Sequence, residues 1–113
     1  MKRLYPAKAL QVRPITVLLA EDNVSFRKSV KALIEADGDF EVVGEAKDGR
    51  EAVGLALGLL PKVVIMDIAM PFLNGLQATQ QITARSSATR VLILSAHPDP
   101  ESVVSNLRGH DGL

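Results

Sequence analysis

Short apolar runs alternate with amphipathic patterns along the chain from Ile15 onward. Four of the runs are rich in β-branched residues and predict strands. Three are almost continuously apolar, which is typical of central strands covered on both faces. The predicted strands are Ile15 to Ala20, Phe40 to Ala46, Val63 to Asp67 and Val91 to Ser95.

Helical patterns fill the segments between these runs. The first helix is predicted near Val24 to Ala36, with one apolar face formed by Phe26, Val30, Leu33 and Ile34. The second is predicted to begin after Asp48, where Glu51 can complete a reciprocal capping box, and to end at Pro61. Its predicted apolar positions are Ala52, Ala56, Leu59 and Leu60.

Two further helices are predicted nearer the C-terminus. Asn74-Gly75 precedes a weaker pattern through Leu76, Thr79, Ile82 and Thr83. Asp99-Pro100-Glu101 predicts the start of a fourth helix with proline at its first position, followed by Val103, Val104 and Leu107 as its apolar stripe. Strands and helices joined by short connections imply right-handed crossovers, so the predicted fold class is α/β, a doubly wound parallel sheet with helices on both faces.

Composition limits the protein to a few classes. The 113 residues suit one folded domain, and 47% hydrophobic with 23% charged residues is the balance of a globular chain. Thirteen basic and thirteen acidic residues cancel, which disfavours direct binding of nucleic acid by this chain. No cysteine is present, so disulfides and thiolate metal sites are excluded, and no apolar run approaches the length of a membrane span.

The predicted domain organisation is an N-terminal tail followed by one domain. Residues 1–14 contain Lys2, Arg3, Lys8 and Arg13 without an acidic residue, and prolines interrupt them. No apolar core of a signal peptide follows, so a solvated tail is the favoured interpretation over an anchor or targeting segment. The domain is expected to occupy residues 15–113.

Acidic residues follow the first and third predicted strands. In open parallel sheets, functional groups collect at the carboxyl ends of strands, where Glu21, Asp22, Asp67 and Ser95 stand. If the first and third strands are neighbours, three carboxylates converge, and their repulsion favours a bound cation. Oxygen ligands without histidine or cysteine favour Mg²⁺, which recruits phosphate, and Asp67 could then attack a phosphoryl group to form an acyl phosphate.

Each of these residues also has a structural interpretation. Acidic residues after strands often only cap the next helix, and a serine that closes a strand usually bonds nearby backbone. His97 is more simply read as an exposed loop residue than as a base, and Asn74 as a helix cap. The three acids at sheet ends are harder to explain in this way because they occur together.

The sequence resembles the receiver domains of two-component response regulators, in particular the NarL/FixJ type, from about Ile15 to Gly112. Each of the matching segments is weak alone, and their order and spacing are highly specific. They are Val17-Leu18-Leu19-Ala20-Glu21-Asp22-Asn23, Val42-Val43-Gly44-Glu45-Ala46, Val63-Val64-Ile65-Met66-Asp67-Ile68-Ala69-Met70-Pro71, Asn74-Gly75, and Val91-Leu92-Ile93-Leu94-Ser95-Ala96-His97.

The resemblance implies a flavodoxin-like fold with strand order 2-1-3-4-5 and a role for each site residue. Asp67 would be the phosphoacceptor, and Asp22 and Asp67 would bind Mg²⁺ directly, with Glu21 acting mainly through water and Ala69 offering its backbone carbonyl. Ser95 would be the switch hydroxyl that carries the signal to the surface around the fourth helix. Ala69 and His97 match positions that tune the lifetime of the phosphoryl group.

The resemblance also implies partners and a cellular role. The phosphoryl donor would be a histidine kinase or a small acyl phosphate, and the chain would be a cytoplasmic signalling domain rather than an enzyme, apart from self-phosphorylation and self-dephosphorylation. Transcriptional output would belong to the parent protein. No membrane and no direct nucleic-acid partner is expected.

The chain departs from the family pattern at its C-terminal end. Receivers have a fifth strand that ends in a lysine, then a fifth helix, whereas no lysine follows Lys62 here. We expect an incomplete receiver in which the fourth strand is an unpaired apolar edge and one face of the sheet is uncovered. Such an edge favours self-association or aggregation.

Three alternatives stay open at this point. A degenerate receiver that only makes protein contacts is favoured by the missing lysine, strand and helix. A haloacid-dehalogenase type phosphatase also uses an aspartate after a parallel strand, but Ala69 stands where its second aspartate belongs. Dinucleotide binding ranks lowest because no Gly-x-Gly-x-x-Gly follows a strand.

Overall fold

The computed structural model describes residues 14–94 and 99–109 of the chain. Four strands and four helices alternate along these residues. Their bounds are β1 Ile15–Ala20, α1 Val24–Ala36, β2 Phe40–Ala46, α2 Gly49–Leu59, β3 Val63–Asp67, α3 Gly75–Arg85, β4 Arg90–Leu94 and α4 Pro100–Arg108. The predicted tail, apart from Pro14, lies outside the described residues.

The four strands form one parallel sheet in the order β2-β1-β3-β4. This order confirms the predicted α/β fold and places β1 directly beside β3, with Ala20 opposite Met66. The first three strands have the predicted bounds, while β4 begins one residue earlier, at Arg90, and Ser95 lies outside the described residues. Among the described strands, β4 pairs with β3 alone.

Side-chain caps explain where the helices begin. Asn23, Asp48, Asn74 and Asp99 each accept a hydrogen bond from a backbone N–H in the first turn of α1, α2, α3 and α4, respectively. The predicted caps Asp48, Asn74 and Asp99 are therefore confirmed, and Asn23 is a cap that was not predicted from the sequence. The reciprocal bond predicted for Glu51 was wrong, because its carboxylate accepts from the N–H of Lys47 and not from that of Asp48.

The apolar side chains form two cores, one on each face of the sheet. Leu18, Val64 and Met66 point toward α2 and α3, where Ala56 and Ile82 are fully buried. Val17, Leu19 and Ile65 point to the opposite face, where they meet α1 and α4. Adjacent residues of one strand thus enter different cores, as the alternation of side chains along a strand requires.

Helix α4 lies on the same face of the sheet as α1. Its Val103 and Leu107 are buried in the core that contains Val30 and Ile34 of α1. Arg108 at its end forms an ion pair with Asp37, the residue that follows α1. The expectation that one face of the sheet is uncovered was therefore wrong, because α4 packs beside α1 and covers it. A right-handed crossover that leaves β4 toward the outer edge of the sheet would instead have placed α4 on the opposite face, beside α2 and α3.

Three apolar residues that were predicted to face the core are exposed. Leu59 and Leu60 lie at the end of α2, where Leu60 adopts a left-handed conformation with φ of 50° that turns the chain toward Pro61. Leu76 is also exposed, because the buried stripe of α3 is formed by Gly75, Ala78 and Ile82 instead. None of the helices described has the length and hydropathy needed to cross a membrane.

Candidate functional site

Three carboxylates meet at the carboxyl edge of the sheet. Glu21 and Asp22 follow β1, and Asp67 ends β3, so the pairing of β1 with β3 brings them together. One carboxylate oxygen from each residue lies within 4.8 Å of the other two. Glu21 and Asp67 are 5% and 8% exposed, whereas Asp22 is open to solvent. The predicted convergence of the three acids is confirmed, and their chemical roles stay predictions.

The turn between β1 and α1 fixes the first two acids. The N–H of Glu21 donates to the carbonyl of Ala46 at 2.9 Å, which extends the pairing of β1 with β2 by one residue. The Glu21 carboxylate accepts from the N–H of Asn23 at 3.1 Å, and the Asn23 side chain caps α1. Asp22 is thus held between a strand end and a capped helix.

Asp67 is oriented by the backbone that follows it. Its Oδ1 atom accepts from the N–H of Ala69 at 3.2 Å. The next residue, Ile68, donates its N–H to Leu94 at 3.4 Å and accepts from the N–H of Gly75 at 2.9 Å. The turn from β3 into α3 is therefore tied both to β4 and to the first residue of α3, which limits the motion of the Asp67 carboxylate.

Crowding of negative charge dominates the electrostatics of the cluster. Burial, together with the neighbouring Asp22 and Asp67, raises the pKa of Glu21 from 4.5 to about 8, and the hydrogen bond from the N–H of Asn23 opposes this shift. Among the described residues, the ion pairs all lie elsewhere and leave the three carboxylates without a basic partner. A cation at this place would restore the charged form of Glu21.

The donor set fits a hard divalent cation. Three carboxylates supply only oxygen ligands, and an exposed Asp22 leaves one side open to water. Mg²⁺ commonly binds through one or two carboxylates, keeps several waters and adds phosphate oxygens, which suits a half-open cluster of this kind. The backbone carbonyl of Ala69 is predicted as a further ligand. Ala69 is exposed, and its N–H donates to the Asp67 carboxylate.

Two of the predicted site residues lie outside the described residues. Ser95 and His97 both fall in the segment 95–98 after β4. The carboxyl end of β4 at Leu94 adjoins Asp67 in the register of the sheet. The switch role of Ser95 and the tuning role of His97 therefore stay predictions.

Two residues around the turns that follow β1 and β3 were not singled out from the sequence. Arg27 of α1 donates to the carbonyl oxygen of Glu21 at 2.6 Å and to Glu45 of β2 at 3.1 Å. Phe72, in the turn after β3, is 76% exposed and has a φ of 68°, and the Arg50 guanidinium lies 5.3 Å from its ring centroid. A basic residue on a helix and an aromatic residue in a loop carry no distinguishing sequence pattern.

Comparison with known proteins identifies relatives over most of the chain. The family model of the response regulator receiver domain matches residues 17–110. The transcriptional regulatory protein LiaR of Bacillus subtilis is 40% identical over 89 residues, which are 79% of this chain and 42% of that protein. The nitrate/nitrite response regulator protein NarL of Escherichia coli K12 is 38% identical over 100 residues, 88% of this chain and 46% of that protein.

A solved structure shows the same architecture. The signal receiver domain of the putative response regulator NarL from Mycobacterium tuberculosis superposes with a TM-score of 0.73 at 34% identity, covering 86% of this chain and 78% of that one. The chain spans less than half the length of the LiaR and NarL proteins that it matches. The similarity therefore concerns the receiver domain of those longer proteins.

Proposed function

The chain belongs to the response regulator receiver domain family, and from this premise we propose that it accepts a phosphoryl group on Asp67 from the phosphohistidine of a histidine kinase. Receiver domains are signalling domains and not enzymes, and they interact with histidine kinases in two-component systems. The single observation that carries the proposal for this chain is the set of three carboxylates within 4.8 Å at the ends of β1 and β3.

The chemistry proposed for Asp67 is nucleophilic phosphoryl transfer. A carboxylate oxygen of Asp67 forms a bond to phosphorus while the P–N bond of the phosphohistidine breaks, and the released imidazole nitrogen takes up a proton. A small acyl phosphate can replace phosphohistidine, in which case a P–O bond breaks and a carboxylate leaves. The hydrogen bond from Ala69 to Asp67 Oδ1 holds the nucleophile in a defined orientation during the reaction.

Asp22 and Asp67 would hold Mg²⁺ directly, with Glu21 acting mainly through water and Ala69 contributing its carbonyl oxygen. When bound, Mg²⁺ supplies positive charge to the oxygens of the transferring phosphoryl group. The raised pKa of Glu21 is consistent with a cation site, because buried and closely spaced carboxylates favour a bound positive charge. Exposure of Asp22 leaves a side from which a phosphoryl donor can approach.

The proposed output follows the relatives of the chain. Ser95 would act as the switch hydroxyl, and the change would reach the surface around α4. The relatives named transcriptional or nitrate/nitrite regulators favour a transcriptional output for a longer parent protein. Ala69 and His97 are proposed to set the lifetime of the acyl phosphate, and the setting is proposed to be cytoplasmic.

Intact-mass spectrometry tests the phosphoacceptor role. The chain is incubated with a small acyl phosphate with and without Mg²⁺, beside Asp67→Asn and the control Asp48→Asn. Asparagine caps helices about as well as aspartate, so the control removes a carboxylate outside the cluster at little cost to α2. We expect a Mg²⁺-dependent gain of one phosphoryl group in the chain and in Asp48→Asn, and no gain in Asp67→Asn.

A second candidate function is a receiver that only binds protein partners. Among residues 14–94 and 99–109, no basic side chain forms an ion pair with the three acids, which favours this alternative. If the chain is folded by circular dichroism but gains no phosphoryl group, the contact-only function replaces the phosphoacceptor. A gain that persists in Asp67→Asn would instead assign a different acceptor.

A further inference from the structure

We propose that Arg27 is a positioning residue that holds the acidic turn after β1 in the geometry needed to bind a divalent cation. The inference rests on the proposed function, because the cation site is part of it. It concerns a residue that does not touch the cation or the phosphoryl group. Arg27 acts through the backbone of Glu21, the residue that precedes Asp22.

The guanidinium of Arg27 links the turn after β1 to strand β2. Without this link, the pairing of strands in the sheet would join the two segments. One nitrogen, Nη1, donates to the carbonyl oxygen of Glu21 at 2.6 Å, and Nε donates to Glu45 Oε1 at 3.1 Å. Glu45 lies in β2 opposite Leu19 of β1, so it is itself fixed by the sheet. The Arg27 side chain is only 15% exposed, which limits competition from water.

The bond to Glu21 reaches the peptide group that joins the two acids. The N–H of Glu21 is held by Ala46, and its carbonyl oxygen is held by Arg27. The plane of the next peptide decides the direction in which Asp22 leaves the strand. With both sides of Glu21 fixed, Asp22 and the Glu21 carboxylate face Asp67 before a cation binds, so less ordering is required on binding.

Lys31 offers a matched control on the same helix. Its ammonium pairs with the other oxygen of Glu45 at 3.1 Å, but its bond does not extend to Glu21. Replacing Lys31 therefore removes one positive charge and one partner of Glu45 and leaves the carbonyl bond of Glu21 in place. A difference between variants at the two positions isolates the effect of the bond to the backbone.

Electrostatics and positioning predict opposite changes in Mg²⁺ affinity when Arg27 is removed. A positive charge at the backbone of Glu21, close to the cation site, opposes the binding of a cation, so its removal alone would strengthen Mg²⁺ binding. Loss of a positioning bond would weaken it, and removing partners that hold metal ligands in place typically costs about 10- to 100-fold in affinity. The direction of the change therefore separates the two effects.

The experiment compares the chain with Arg27→Ala, Arg27→Lys and Lys31→Ala. Mg²⁺ affinity is measured by calorimetric titration, and amide hydrogen exchange of Asn23 is followed without metal, since this N–H is bonded to the Glu21 carboxylate. We expect about tenfold weaker Mg²⁺ binding and faster exchange for Arg27→Ala, and less than a twofold change for Lys31→Ala. Arg27→Lys, which keeps the charge but lacks the planar fork, should also bind Mg²⁺ more weakly.

Unchanged or tighter Mg²⁺ binding by Arg27→Ala would overturn the inference, and so would an equal loss in Lys31→Ala. If Arg27→Ala does not fold, the comparison of Arg27→Lys with Lys31→Ala decides by the same criteria. If the unmodified chain binds no Mg²⁺, the proposed cation site fails, and the exchange of Asn23 alone decides whether Arg27 holds the turn. Equal exchange rates in all variants would then reject the inference.

Discussion

The backbone of Gly75 packs directly against the backbone of Asp67. A Cβ atom on Gly75 would lie 2.2 Å from the carbonyl oxygen of Asp67 and 2.8 Å from the Cα of Ile68. Because both neighbours are backbone atoms, a side chain at position 75 can be accommodated only if the turn after β3 moves. The first residue of α3 thus fixes the position of the proposed phosphoacceptor.

Replacing Gly75 with alanine should destabilise the fold and disturb the acidic cluster. Overpacking of this kind typically costs about 1 to 3 kcal/mol, and Asp67 lies at the point of contact. We expect a lower free energy of unfolding in urea and reduced phosphoryl uptake. Gly54→Ala is the control, because it lies in α2 with no atom within 4 Å of the added Cβ. It should raise stability by about 0.5 to 1 kcal/mol, and equal effects of the two substitutions would contradict the argument.

The requirement for glycine at position 75 illustrates what the sequence can and cannot predict. Asn74-Gly75 was readable as a helix start because an asparagine cap is a local feature. The approach of Gly75 to Asp67 depends on how the turn folds back on the strand, which no local pattern encodes. The strands β1, β2 and β3 were predictable with their bounds, because continuous apolar runs between polar turns are themselves the requirement for a central strand.

The acidic site and the helices show the same difference between features that a local sequence pattern encodes and features that depend on tertiary packing. The meeting of Glu21 and Asp67 followed from strand order alone. The bond from Arg27 to Glu21 did not, because a basic residue in a helical sequence pattern is usually expected to face water. Leu60 and Leu76 were misassigned to the core because leucine fits an apolar periodicity regardless of the direction in which the helix faces. The face chosen by α4 depends on packing against α1, which is a tertiary property.

The pKa of Glu21 predicts how stability changes with pH when no metal is present. In the unfolded chain its proton leaves near pH 4.5, whereas the folded chain retains it until about pH 8. Between these values the folded state binds more protons, so the free energy of unfolding should fall as pH rises. The slope for one proton is at most about 1.4 kcal/mol per pH unit.

Urea unfolding in a chelator at several pH values between 5 and 8, chosen roughly to bracket the window of linkage, measures this slope. Glu21→Gln should flatten the profile, since an amide does not titrate. Added Mg²⁺ should also reduce the slope, because a cation favours the ionised form. Stability that rises with pH in the chelator, or an identical slope in Glu21→Gln, would show that the proton is not held by Glu21.

Loss of the buried side chain at the end of α4 should destabilise the whole domain. Leu107 is 1% exposed and belongs to the core formed with α1 and the sheet. Leu107→Ala is expected to lower the free energy of unfolding by about 2 to 5 kcal/mol. Asn106→Ala, an exposed neighbour on the same helix, should change it by less than about 0.5 kcal/mol. Similar small effects of both would mean that α4 does not pack on the sheet in solution.

The ion pair between Arg108 and Asp37 identifies the face on which α4 packs. A double-mutant cycle with Arg108→Ala and Asp37→Asn should show a coupling energy, because the two side chains meet only when α4 lies beside α1. Arg108 is half-exposed, so the coupling should be below about 1 kcal/mol. Strictly additive effects would indicate that α4 occupies another position.

The outer edge of β4 should mediate association between copies of the chain. Within the described residues this strand pairs only with β3, and its Val91, Leu92 and Ile93 are half-buried. Unpaired N–H and C=O groups on an apolar edge are a template for another strand. Two identical edges related by a two-fold axis would pair as antiparallel strands and close a dimer. The formal net charge of zero leaves no long-range repulsion against this contact.

Sedimentation velocity over a range of concentrations tests this association. Ile93→Lys should shift the chain toward monomer, because a charge on the edge opposes pairing, and the long lysine side chain at this half-buried position can bring its ammonium to water. Gln81→Lys adds the same charge on the exposed surface of α3 and should leave association unchanged. If the unmodified chain is a monomer at every concentration and melts cooperatively, the prediction of association is wrong. The cores on the two faces are then sufficient for a stable fold, and the edge of β4 is protected in another way. Equal dissociation by both lysine variants would instead assign the effect to net charge and not to the strand edge.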